Sequence, residues 1–153
     1  MNIKITRLKY GEYTVLRRFL YLAIFVPEGG SLPDSEILDT PELRVYLDEF
    51  GKELSDVAVT LRCDGEIVGA AWSRVMDDYG HLYDGVPSLA ISLLPEYRGR
   101  GLGKRLLAGL LEELRSSGFD RVTLAVQKAN YAACKLYTGL GFETVGEKDE
   151  ENL

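Results

Sequence analysis

The feature that most constrains the fold is a strand-like run that leads through a glycine-rich loop into a leucine-rich helix. Residues 92–114 read SLLPEYRGRGLGKRLLAGLLEEL. After the loop, leucines recur at the spacing of one helix face and predict an amphipathic helix over residues 102–117, which Gly118 ends. A glycine-rich turn at a helix N-terminus leaves several backbone N–H groups unpaired, so the loop is a candidate binding site.

The rest of the chain alternates between strand and helix patterns. Apolar spacing predicts further helices over residues 10–25, 41–50 and 131–139. Strand patterns cover residues 3–8, 56–63, 66–75, 86–94, 121–126 and 142–145. Asp64-Gly65 predicts a tight hairpin between the second and third strands. The 153 residues suffice for one domain with a sizeable core. This order predicts a mixed α/β sheet of about six strands, covered by helices.

Charged residues are unevenly distributed along a chain of net charge −6. Residues 98–105 hold four basic and no acidic residues, whereas residues 34–56 hold eight acidic residues against Arg44 and Lys52. A second acidic set consists of Asp77, Asp78 and Asp84. The acidic balance argues against binding to nucleic acid or to an anionic membrane. Two interpretations remain, ordinary surface charge or two ligands of opposite charge.

Cysteine and histidine are too few for a disulfide framework or a metal site. Cys63 and Cys134 are the two cysteines, and His81 is the only histidine. We expect both thiols to be reduced and packed, as is typical of a cytoplasmic protein, and we expect no metal. No stretch of about 18 apolar residues is present to cross a membrane.

The loop has the features of a phosphate site but matches neither of two well-known motifs. A P-loop would need glycine at residue 98 and serine or threonine at residue 105, where the chain has arginines. A dinucleotide fingerprint would need a third glycine at residue 104 or 106. The missing Cβ atoms of Gly99, Gly101 and Gly103 nevertheless let an anion approach the backbone. The nearby positive charges are Arg98, Arg100, Lys104 and Arg105. We therefore predict an anion-binding loop.

Three motifs, taken together, resemble the GNAT family of N-acetyltransferases. RGRGLG at residues 98–103 matches the family's Q/R-x-x-G-x-G/A signature, and LAISLLPEY before it looks like the family's fourth strand. NYAACKLYTGLGF at residues 130–142 resembles the family's asparagine-led helix, with a tyrosine seven residues after the asparagine. The resemblance covers residues 57–142 well and the first 56 residues loosely. It implies a single domain over residues 1–153, with the acceptor side in residues 1–56 and the acetyl-CoA core in residues 57–145.

The resemblance also implies a role for individual residues. In the family, acetyl-CoA lies in a gap where the fourth and fifth strands splay apart. Asn130 matches the side chain on the pantetheine side, and Tyr137 matches the general acid that protonates the leaving thiolate. The strand residues that match the pantetheine partner are Ile91, Ser92 and Leu93. The residues that match the pyrophosphate cradle, with the lysine that follows it, are Arg98, Gly99, Arg100, Gly101, Leu102, Gly103 and Lys104.

The sequence departs from the family in two places. Some relatives place a glutamate base five residues before the asparagine, but this chain has Ala125 there. His81 and Glu96 are expected to be exposed, so the base is unassigned. The acidic end GEKDEENL lacks an alternating pattern, so a seventh strand is expected to be short or missing.

Two function classes follow from this resemblance. The first is an acetyl-CoA-dependent N-acetyltransferase in which a primary amine attacks the thioester directly, with no covalent enzyme intermediate. Its acceptor would be a cationic amine, on a small molecule or a peptide, because of the acidic segments. The second is a non-catalytic acyl-CoA-binding or sensor domain with the same fold. Either would be a monomer or a homodimer.

Overall fold

Four antiparallel strands, arranged in chain order, form the sheet of the computed structural model, which describes residues 2–26, 29–76 and 85–146. They are β1 (Ile3–Arg7), β2 (Val57–Cys63), β3 (Glu66–Arg74) and β4 (Ser88–Leu93). The tight turn between β2 and β3 is the predicted hairpin, since Asp64 and Gly65 have φ angles of 50° and 87°. Chain order within the sheet follows from such antiparallel connections.

Helices cover both faces of the sheet. The helix α1 (Val15–Ala23) packs on β4, and α3 (Leu102–Ser116) packs on β2 and β3. Ser92 contacts α1, whereas its neighbour Leu93 lies close to Leu106 of α3, beside Gly69. Since consecutive strand side chains point to opposite faces, α1 and α3 lie on opposite sides. This explains why β2 and β3 are almost completely buried.

Of the six leucines whose spacing predicted α3, five are buried and Leu111 is partly buried. The buried side chains are Leu102, Leu106, Leu107, Leu110 and Leu114. The fourth helix, α4 (Tyr131–Gly139), also has the predicted bounds, but none of its residues is fully buried. In the described ranges, no helix is both long and apolar enough to cross a membrane.

The helix predicted over residues 41–50 is shorter in the structure. Only α2 (Pro41–Arg44) is α-helical, and turns follow it. Arg74 donates hydrogen bonds to two backbone carbonyls of these turns, to Asp48 O at 2.6 Å and to Val45 O at 3.3 Å. Arg74 also pairs with Asp56, whose side chain is 1% exposed. The Oδ2 of Asp56 in turn accepts the backbone N–H of Gly51 at 3.0 Å. A buried ion pair therefore shapes this segment.

The predicted number of strands is wrong for the described residues, although the α/β class is right. Residues 121–126 form a single parallel bridge, between Thr123 and Ser88, instead of a strand. Residues 142–145 have no regular structure. A strand needs a hydrogen-bonded partner along its length, and β4 pairs with the first of these segments only near its own start. The expected end of the chain, including a short seventh strand, falls on residues 147–153, outside the described residues.

Candidate functional site

The strand β4 separates from residues 121–126 and leaves a gap between them. Leu89 donates its N–H to Thr123 O at 2.9 Å, and Thr123 donates to Pro87 O at 2.9 Å. Beyond Leu89, no backbone hydrogen bond joins β4 to this segment within the described ranges. Backbone groups of an antiparallel strand alternate in direction, so those of Ile91 and Leu93, like those of Leu89, face away from β3. Toward the gap, the N–H and C=O of Ile91 and the N–H of Leu93 have no hydrogen-bond partner among the described residues, whereas Leu93 O accepts from Arg98 Nε at 3.3 Å.

Ser92 is placed differently from the two residues beside it. Its backbone faces Ala70 of β3, in register with that strand. Its hydroxyl donates to Phe19 O of α1 at 2.6 Å, and the residue is buried. Three strand residues were predicted to contact a pantetheine arm. The backbone groups of Ile91 and Leu93 face the gap, whereas Ser92 bonds to β3 through its backbone and to α1 through its hydroxyl.

The glycine-rich loop directly follows β4. A short 3-10 turn (Pro95–Tyr97) leads into it. Gly99 and Gly101 have left-handed φ angles of 74° and 76°, which L residues with a Cβ rarely adopt. A Cβ on either glycine would meet no atom within 4 Å, so the space beside the backbone is open.

The first turn of α3 has no side-chain cap. Gly101 is the N-cap residue, and glycine has no side chain to accept the N–H groups of Leu102, Gly103 and Lys104. The helix dipole adds a partial positive charge at the same end. A Cβ on Gly103 would lie 3.6 Å from Leu136 of α4, an ordinary contact distance, so α4 packs close to this turn. The loop thus presents backbone donors and positive potential to open space.

The four positive side chains near the loop differ in what they contact. Arg98 donates from Nε to Leu93 O and from Nη2 to Leu22 O, each at 3.3 Å. The guanidinium of Arg100 lies 5.6 Å from the centre of the Tyr97 ring. In the part of the chain that the structure describes, none of the four pairs with a carboxylate; they are Arg98, Arg100, Lys104 and Arg105. Cations without acidic partners favour a bound anion.

Asn130 begins α4 as its N-cap residue. Its Oδ1 accepts the backbone N–H of Ala133 at 3.3 Å. The side-chain amide nitrogen has no hydrogen-bond partner within the described residues. One end of the amide therefore caps the helix, and the other end is available as a donor.

Tyr137 lies one helical turn after Cys134 and is half-buried. Its ring packs edge-on against Phe142, with ring centres 5.7 Å apart. Burial, and then the nearby Cys134 thiol, raises the pKa of Tyr137 to about 12. Its hydroxyl has no hydrogen-bond partner among the residues described. At neutral pH the phenol is therefore protonated and able to donate.

Both cysteines are free. Cys63 is buried, and Cys134 is half-buried with its Sγ 3.7 Å from Gln127 O. In the described ranges, no group of three or more histidine, cysteine or acidic side chains is arranged to hold a metal.

Half of the acidic residues in residues 34–56 are neutralised by ion pairs. The pairs are Asp39–Arg17, Asp48–Arg44, Glu49–Lys52 and Asp56–Arg74, at 3.2, 3.1, 2.9 and 3.3 Å. The second acidic set, with His81, falls on residues 77–84, outside the described residues. The charge of this side is therefore less negative than the sequence alone indicates.

A shallow cavity of about 450 Å³ lies between α1 and a 3-10 turn (Ser35–Asp39). It is lined by Arg17, Arg18, Tyr21, Leu22, Ser35 and Leu38. The sequence did not indicate this cavity, because its residues come from two segments that only the fold brings together. Its two arginines make it a poor site for a cationic group.

Comparison with known proteins identifies the same family that the sequence motifs resemble. The model of the "Acetyltransferase (GNAT) family" matches residues 24–142. A mycothiol acetyltransferase of Thermobifida fusca is 37% identical over 120 residues, which are 76% of this chain and 36% of that protein. The chain thus spans about a third of the length of the curated relatives it matches.

Solved structures share the fold. AAC(6')-Iy, in complex with the bisubstrate analogue CoA-S-monomethyl-acetylneamine, superposes with a TM-score of 0.69 at 20% identity, covering 97% of this chain and 96% of that one. The Salmonella typhimurium protein yncA, with its cofactor acetyl-CoA, superposes with a TM-score of 0.67 at 19% identity, covering 95% and 82%.

Proposed function

Because the chain belongs to the acetyltransferase (GNAT) family, we propose that it transfers the acetyl group of acetyl-CoA to a primary amine. One observation carries the proposal. The open loop, whose cations pair with no carboxylate of the described chain, lies at the end of a strand whose Ile91 backbone faces a gap without a described partner. Such an arrangement suits a ligand with a phosphate-rich end and an amide-containing arm. Acetyl-CoA has both.

The phosphate end would bind at the loop. The backbone N–H groups from Gly99 to Lys104 would donate to the pyrophosphate, and Arg100, Lys104 and Arg105 would supply charge. The pantetheine amides would pair with the gap-facing backbone of Ile91 and Leu93, in the manner of an added strand. Asn130 would donate from its free amide nitrogen. Together these contacts would fix the thioester for attack, and orientation supplies much of the acceleration in such reactions.

The reaction proposed is direct attack by a neutral amine. The amine nitrogen forms a bond to the thioester carbonyl carbon, the carbon–sulfur bond breaks, and the thiolate takes up a proton as CoA leaves. Tyr137 is the proposed donor to that sulfur. Its pKa of about 12 exceeds the ordinary thiol value of about 8.5. The phenol is therefore the weaker acid, and its assistance should be modest. The base that takes the amine's proton is unassigned, since Ala125 stands where some relatives have glutamate.

The acceptor proposed is a cationic amine on a small molecule or a peptide. The support is the acidic residues of the acceptor side that are outside the ion pairs described above, chiefly Glu36, Glu42 and Glu53. A field of this sign concentrates cations and repels acids. The acids at residues 77, 78 and 84 enter this proposal from the sequence alone. The triple change Asp77→Asn, Asp78→Asn and Asp84→Asn should raise the KM for the acceptor and leave acetyl-CoA affinity unchanged.

A screen for released thiol tests the proposal. The protein and acetyl-CoA are mixed with panels of small-molecule and peptide amines, beginning with aminoglycosides because a protein of the same fold carries that name, and free thiol is measured against an amine-free control. Amine-dependent thiol release supports an acetyltransferase. Saturable acetyl-CoA binding without release for any amine would favour the non-catalytic sensor. Absence of acetyl-CoA binding at low salt would refute both.

The cytoplasm remains the predicted compartment, because the cysteines are free.

A further inference from the structure

Two side chains attach the C-terminal half of α1 to the region of β4 that faces the gap. The hydroxyl of Ser92 donates to Phe19 O at 2.6 Å, and Nη2 of Arg98 donates to Leu22 O at 3.3 Å. Phe19 and Leu22 are three residues apart, so their carbonyls lie on the same side of the helix. The two bonds therefore hold one side of α1 at two points.

Arg98 also holds the end of β4 itself. Its Nε donates to Leu93 O at 3.3 Å, while the next N–H, that of Leu94, donates to Val68 O at 2.8 Å. The peptide group between Leu93 and Leu94 is thus bonded on both sides. One guanidinium joins α1, β4 and the start of the loop.

The chemistry of both acceptors favours a guanidinium. Leu22 O belongs to the last turn of α1, where carbonyls have no partner inside the helix and the dipole favours a cation. Leu93 O faces the gap, where no strand of the described residues pairs with it. A planar fork with five N–H donors can serve two carbonyls at once, which a lysine ammonium on a flexible stem does poorly.

We propose that Arg98 is a positioning residue for the pantetheine arm and is not a ligand of the phosphates, an inference that rests on the proposed function. Arg98 keeps the backbone of Leu93 and the adjoining turn of α1 at a set spacing beside the gap. Ser92 holds the same side of α1 through its hydroxyl, one residue before Leu93 in β4. Arg100, which has no carbonyl partner in the described chain, is instead a phosphate contact.

Two acetyl donors distinguish these roles. S-acetylpantetheine has the thioester and both amides of acetyl-CoA but no phosphate. Arg98→Gln should reduce kcat/KM by a similar factor with both donors, on the order of tenfold for the loss of charge-assisted bonds. Arg100→Gln, the matched control, should reduce it with acetyl-CoA alone. Ser92→Ala, which removes no charge, should give the Arg98→Gln pattern with a smaller loss.

Arg98→Lys distinguishes the effect of the guanidinium's hydrogen-bond geometry from the effect of its positive charge. It retains the positive charge but not the paired donors, so it should resemble Arg98→Gln. The inference is overturned if Lys restores wild-type kcat/KM with acetyl-CoA, or if Arg98→Gln affects acetyl-CoA alone. It is also overturned if Ser92→Ala leaves both donors unchanged.

Stability measurements exclude a merely structural explanation. The assays are run well below the melting temperature of each variant, which is measured separately. A variant that is only less stable would keep the wild-type kcat/KM per folded molecule with both donors, and that result would overturn the inference. Failure of the wild-type protein to bind acetyl-CoA would instead refute the proposed function.

Discussion

Replacing Gly101 by alanine separates the backbone requirement of the loop from its proposed contact with phosphate. Gly101 precedes α3 with a φ of 76°, and Gly118 follows α3 with a φ of 93°. A Cβ on either residue would have no atom within 4 Å. Alanine should therefore cost both sites about the same backbone strain, roughly 1–2 kcal/mol, without a clash. In a chain of this size, that strain lowers the melting temperature by roughly 2–8 °C.

Only the substitution at Gly101 should weaken acetyl-CoA binding. Its Cβ would enter the open space beside the first N–H groups of α3, where the pyrophosphate is proposed to lie. Loss of one charge-assisted hydrogen bond, worth about 1.5–3 kcal/mol, corresponds to roughly 10–100-fold weaker binding. Isothermal titration calorimetry at low ionic strength measures the affinity, and differential scanning calorimetry measures the melting temperature.

Gly118→Ala is the matched control for this experiment. It should show the lower melting temperature with wild-type affinity. If Gly101→Ala binds acetyl-CoA as tightly as the wild type, the anion does not lie against this turn. If Gly118→Ala loses equal affinity, backbone strain in α3 explains both variants, and the argument from the open space is wrong.

Three further predictions concern the phenol and the buried ion pair. Tyr137→Phe should lower kcat on the order of 10–100-fold with unchanged acetyl-CoA affinity; wild-type turnover would assign the ring to packing alone. The pKa of Tyr137 is raised from 10 to about 12. The protonated phenol therefore makes its full contribution to the free energy of unfolding below pH 10. That contribution is lost as pH rises to about 12, so urea unfolding should show the wild type losing stability relative to Tyr137→Phe only in that range. Asp56→Asn should lower the free energy of unfolding by about 3–5 kcal/mol, whereas Asp48→Asn, at an exposed pair, should cost less than about 1 kcal/mol; equal losses in urea titrations would contradict the role of burial.

Local chemistry explains which elements could be predicted from the sequence. The turn at Asp64-Gly65 has the positive φ angles that those residue types favour. Of the six leucines of α3, five are buried, as their spacing predicted. The family was also identified from short motifs, and the match over residues 24–142 confirms it. In each case, the residues that form the predictive pattern lie close together along the chain.

The site could be predicted in part. Residue types were sufficient to place the loop and the start of α4, where Asn130 caps the helix. They were not sufficient to tell Ser92 from its neighbours, because facing the gap depends on the register of β4 with β3. The role of Tyr137 remains a prediction, although burial explains why its phenol stays protonated.

The sequence by itself determined the Asp64-Gly65 turn, the leucine-rich helix α3 and the glycine-rich loop, while the tertiary structure decided the partners of the polar side chains. Arg98 was predicted as a loop cation, yet it donates to Leu22 O, 76 residues away along the chain. Residues 121–126 have a strand-like pattern, yet they pair with β4 at one point only. The conformational propensities of residues and the spacing of apolar side chains specify local structure, such as one turn or one helix face. A distant hydrogen bond instead depends on which carbonyls packing leaves unpaired, and that is settled only when the helices are in place on the sheet.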